Sequence, residues 1–79
     1  MEKETIRITV KLFATLRKDR FDVREMELAP ETTVSDIISR LTLPEKEVSL
    51  VFINGRHAPF TQVLAGGDVL ALFPPVGGG

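Results

Sequence analysis

A chain of 79 residues holds one domain, and a domain that small buries only about 60 to 65% of its unfolded surface, so every large apolar side chain matters. Ten Lys/Arg against eleven Asp/Glu leave a formal net charge of −1 with the two signs interspersed, which lacks the basic footprint of a nucleic-acid binder. There is no cysteine, which excludes a disulfide framework, a thiolate metal site and a thiol nucleophile, so any sulfur handled here must ride on something other than a side chain.

Met1-Glu2-Lys3-Glu4 mixes charges of both signs where a secretory signal would be basic and then apolar, and no apolar stretch is long enough to span a bilayer. A soluble cytoplasmic protein with no membrane or nucleic-acid partner is expected. Ile6, Ile8, Val10 and Leu12 are apolar at period two with Arg7, Thr9 and Lys11 between them, which predicts a half-buried strand over 5–13. Residues 15–20 are polar and basic. Phe21 and Val23 then resume an alternation that changes phase to Met26 and Leu28, predicting a second, antiparallel strand with an irregularity near Arg24-Glu25.

Pro30 closes that strand, and Val34, Ile37, Ile38 and Leu41 then fall on one helical face. Thr33 with Asp36 resembles a capping box, and the helix should end before Pro44. Leu50-Val51-Phe52-Ile53 is apolar throughout, as in a strand covered on both faces. Asn54-Gly55 is the strongest short hairpin signal available, with Arg56 to Ala58 as a brief return strand. After a loop over 59–67, the apolar run Val69-Leu70-Ala71-Leu72-Phe73 reads as the last and central strand. Gly66-Gly67-Asp68 has a phosphate-loop look, but a strand follows it where a helix is needed, so a turn is expected. Two strands, a helix crossing one sheet face, a strand with a short hairpin partner and a final strand make an α+β domain of the β-grasp kind, with a mixed sheet of four to five strands packed on one helix.

This domain should occupy 1–73, leaving 74–79 as a flexible glycine tail. Pro74-Pro75 hold the chain extended, and Val76 leads into Gly77-Gly78-Gly79. Glycine has no Cβ, so such a run threads a channel closed to other residues, and Pro74 to Gly79 reach about 20 Å. Glycine-rich ends also occur as inert linkers.

Three pieces in order, Lys11-Leu12-Phe13-Ala14-Thr15-Leu16-Arg17, Gly67-Asp68 and Phe73-Pro74-Pro75-Val76, resemble the MoaD-like small subunits of molybdopterin synthase. ThiS, the related carrier of the thiamine pathway, shares their ubiquitin-like fold, and the ending is equally similar to its own. The resemblance implies a cycle in which a MoeB/ThiF-like partner, similar to ubiquitin-activating enzymes, uses ATP and magnesium to adenylate the Gly79 carboxylate. A persulfide then displaces AMP to leave a thiocarboxylate, which a MoaE-like large subunit uses on a pterin precursor. The carrier would bind no cofactor or metal itself, the partners supplying the catalytic groups. A ubiquitin-like modifier joined to lysines through the same Gly79 is the rival implied by the same features.

By position, the family's docking face would include Phe13 and Phe73, with Arg17 beside it and Pro74, Pro75 and Val76 leading to the tail. Phe13 and Phe73 could equally cap the core, but alternation places Phe13 opposite Ile6, Ile8, Val10 and Leu12. Arg17 reads as either a solvated loop cation or a pairing residue. His57 stands where the family is expected to place an apolar contact, a departure from its pattern.

Overall fold

The computed structural model describes residues 4–75. Chain order is β1 (Ile6–Leu12), a 3-10 turn (Ala14–Arg17), β2 (Val23–Leu28), α1 (Val34–Arg40), a second 3-10 turn (Glu45–Glu47), β3 (Leu50–Ile53), β4 (Arg56–His57) and β5 (Val69–Phe73). The strands form one mixed sheet in the order β2-β1-β5-β3-β4, with β5 parallel to β1 and the other pairs antiparallel. This is the expected ubiquitin-like β-grasp fold, with β5 central as predicted. Val76 and Gly77-Gly78-Gly79, on which the tail reading falls, lie outside the described residues.

One sheet face meets α1. Ile8, Val10 and Leu12 of β1, Leu70 and Leu72 of β5 and Val51 of β3 pack there against Val34, Ile37 and Ile38, all buried. Helix α1 has only seven residues, too short to be stable alone, and depends on this contact and on its start. At that start the Thr33 hydroxyl accepts from the Asp36 amide at 3.2 Å while the Asp36 carboxylate accepts from the Thr33 amide at 3.0 Å, so the capping box is complete.

The hairpin also forms as read. Asn54 (φ 54°) and Gly55 (φ 83°) both take positive φ, as a tight two-residue turn needs. The Asn54 amide then ties this turn to the entrance of β5, donating to the Asp68 carboxylate and accepting from the Val69 amide, each at 2.9 Å. Gly66-Gly67-Asp68 is the expected turn, with Gly67 at φ 87° and Asp68 accepting from the Ala65 amide at 2.8 Å.

Two expectations are corrected. Strand β2 carries no irregularity at Arg24-Glu25: its register against β1 is unbroken from Lys11↔Val23 to Ile6↔Leu28. The apparent change of phase arises because Phe21 reaches the core from the loop before the strand, while Val23 lies on the opposite sheet face, 57% exposed. Nor is β3 covered on both faces. Its second face and that of β5 stay open among the described residues, and Leu50, Phe52, Val69, Ala71 and Phe73 are half-buried there.

Candidate functional site: an aromatic row where the last strand ends

The open sheet face divides into two halves of different chemistry. On β1 and β2 it is charged: Arg7 donates to Glu27 at 3.0 Å and lies 4.0 Å from Glu25, neighbours in the strand register. The hydrogen bond to Glu27 and then the two negative charges raise the pKa of Arg7. On the remaining strands the face is aromatic. Phe13, just beyond β1, stacks on Phe73 with ring centroids 4.3 Å apart and planes 7° from parallel. Phe52 meets Phe73 edge to face at 5.7 Å, and His57 meets Phe52 edge to face at 5.8 Å.

Register builds this row. Phe52 lies opposite His57 on β4 and opposite Ala71 on β5, while Leu50 lies opposite Phe73, so the rings fall on one side of the pleat. Phe13 joins because its amide donates to the Leu72 carbonyl at 3.2 Å, continuing the β1 to β5 ladder past the end of β1. The row therefore runs across the sheet to Phe73, from which the chain continues to half-buried Pro74 and exposed Pro75. An open aromatic surface of this kind suits protein docking, since large rigid rings supply contact area at little entropic cost.

The sequence-predicted residues thus come together in part. Phe13, Phe73 and His57 share the row; Arg17 stands at the end of the 3-10 turn that follows Phe13, in a loose exposed pair with Asp22 at 3.8 Å. Phe52 and Leu50 are members the sequence reading did not single out. Their signal in the sequence is the uninterrupted apolar run of β3, which marks an open apolar face and not two-sided burial. Among the described residues, no three His, Asp or Glu side chains gather as a metal site would require.

The ThiS family is matched over residues 10–79, nearly the whole chain and through its final glycine. The chain belongs to the ThiS family. It is accordingly a ubiquitin-like sulfur carrier of the ThiS/MoaD type. No curated protein matches this ThiS-family chain. Among solved structures, the HVO 2177 protein of Haloferax volcanii is 25% identical, with TM-score 0.82 over 100% of this chain and 92% of its own. SAMP1 of Haloferax volcanii is 30% identical, with TM-score 0.75 over 92% and 99%. A Pyrococcus furiosus protein provisionally assigned as molybdopterin converting factor subunit 1 is also 30% identical, with TM-score 0.73 over 90% and 99%. The complex of subunits 1 and 2 of that factor from Helicobacter pylori is 22% identical and shares the fold, with TM-score 0.57 over 94% and 100%. No helix of the described residues is long and apolar enough to cross a membrane.

Proposed function

We propose that this carrier works through the carboxylate of Gly79, as the terminal residue of the working chain, and delivers sulfur in the cytoplasm to molybdopterin synthesis. The observation that carries the reading is the family match through Gly79, on a domain whose aromatic row ends at Phe73, next to the start of the tail. A carboxylate is a poor electrophile, so a MoeB/ThiF-like partner uses ATP and magnesium to form the acyl-adenylate, releasing pyrophosphate. A persulfide attacks the carbonyl and AMP leaves; a partner thiol then opens the acyl disulfide, leaving the thiocarboxylate. Gly77 and Gly78 would let the end enter a narrow active site, Pro74 and Pro75 stiffen the chain that leads to it, and Val76 contributes to the partner contact. Phe13, Phe52, Phe73 and His57 form the docking face, flanked by Arg17, for the activating enzyme and then for a MoaE-like large subunit.

The similarity to the Pyrococcus furiosus protein, described as subunit 1 of a converting factor, supports the molybdopterin pathway and a second-subunit partner, and the two-subunit Helicobacter pylori complex shares the fold. The equal identity to SAMP1, a small archaeal modifier protein, supports a second reading in which Gly79 is joined to lysines of other proteins. ThiS-type delivery to the thiamine thiazole begins with the same activation. Incubation with the host activating enzyme, ATP and magnesium should give pyrophosphate exchange and an AMP adduct on Gly79. Deletion of Gly78-Gly79 should abolish both while the circular dichroism spectrum is unchanged. Exchange that survives the deletion would remove the tail from the chemistry. Covalent protein adducts accumulating in host lysate would favour the modifier over the carrier.

A further inference from the structure

A second surface lies at the same end of the domain, away from the aromatic row. Lys18 and Arg20 from the loop after the first 3-10 turn, Arg24 from β2 and Arg40 from the end of α1 line one open groove of about 660 Å³. Four of the ten Lys/Arg of a chain with net charge −1 are thus concentrated at one place. The ion pairs among the described residues use Arg7 and Arg17, so none of these four cations is paired there. Among the described residues the Arg24 guanidinium makes no hydrogen bond and sits 4.3 Å over the Phe21 ring, and the Arg20 guanidinium donates to the Leu16 and Lys18 carbonyls at 3.3 and 3.5 Å. Clustered like charges repel, and an anion in the groove would relieve that repulsion.

The lining also indicates which anion. Leu41 and the part of Phe21 that Arg24 does not cover, both half-buried, give the groove apolar lining, which suits an apolar side chain beside acidic ones. Asp19 and Glu47 stand among the cations, so a polymer with a phosphate at every unit would meet repulsion that a peptide of mixed side chains avoids. Position adds a third point. Lys11 pairs with Val23 and Leu12 with Leu72, and the Ser49 amide donates to the Phe73 carbonyl at 2.8 Å. The start of β2 and the chain returning from α1 therefore lie at the end of the sheet where β5 finishes.

We propose that the Lys18, Arg20, Arg24 and Arg40 groove binds an acidic, apolar-anchored peptide segment of a partner protein, as a contact distinct from the aromatic row. Its place beside the end of β5 lets one partner hold the groove and the tail together. That last assignment rests on the tail reading, whereas the peptide preference does not.

Fluorescence anisotropy on the full chain, without ATP or any enzyme, separates the two. The probe is a labelled peptide with glutamates on both sides of a single phenylalanine, compared with an oligothymidylate of equal length. The peptide should bind, more weakly as salt rises, and tighter than the oligonucleotide. Arg24→Glu and Arg40→Glu should each weaken it by about tenfold, while Arg56→Glu, the same charge change outside the groove, leaves it unchanged. Arg40 lies exposed at the helix end, so its variant remains informative if Arg24→Glu disturbs Phe21. No binding, an unaffected Arg40→Glu variant or tighter binding of the oligonucleotide overturns the proposal.

Discussion

Phe73 belongs to two environments, and which one dominates is measurable. Next to it, Leu72 is 0% exposed in the core, while the Phe73 ring lies half-buried between Phe13 and Phe52 on the open face. Leu72→Ala should therefore cost about 3 kcal/mol or more in urea unfolding, and Phe73→Ala about 2 kcal/mol, mostly the lost ring contacts. If the proposed large synthase subunit is the partner, the same Phe73→Ala change should weaken its binding by at least about tenfold in titration calorimetry. Equal stability losses with unchanged binding would make the row part of the core. Arg17→Ala removes only an exposed pair at 3.8 Å and should shift stability by less than about 0.5 kcal/mol, so a larger loss of binding would place Arg17 in the interface. At this scale the sequence exposed half of the site. Alternation along β1 put Phe13 on the outer face, but Phe52 was hidden because an apolar run looks the same whether its second face meets another layer or lies open.

Elements were more legible than their exact phase. The Thr33 and Asp36 spacing, the Val34, Ile37, Ile38 and Leu41 face and the Asn54-Gly55 turn each have a local cause, and each forms where read. The register of β2 was less legible, because Phe21 contributes to the core from outside the strand and Val23 turns away from it. That distinction depends on pairing with β1, which no local pattern contains. Since α1 has seven residues and the Thr33 hydroxyl supplies half of its capping box, Thr33→Ala should cost about 1 kcal/mol in urea unfolding, with Thr33→Ser close to neutral. A neutral alanine variant would show that packing alone holds the helix start.

At the scale of the whole molecule, the proposed function divides the work between a sheet that folds and a terminus that would react. The core needs only one face of the sheet, which leaves the other free for the aromatic row and concentrates both surfaces at the end where β5 finishes. Topology was legible because short apolar segments separated by Pro30, Pro44 and Asn54-Gly55 allow few arrangements. Pathway was not, because carriers and modifiers share the first activation step and differ in partners that the chain does not encode in any local pattern. The proposed chemistry comes down to one atom, the oxygen of the Gly79 carboxylate that sulfur would replace. The decisive measurement is the intact mass of the untagged protein isolated from its host under reducing conditions, with fragmentation to locate any gain. A sulfur carrier should show a subpopulation about 16 Da heavier, mapped to Gly79 and distinct from oxidation of Met1 or Met26. Only the unmodified mass, even after incubation with the host activating enzyme, ATP and a sulfur donor, would contradict it.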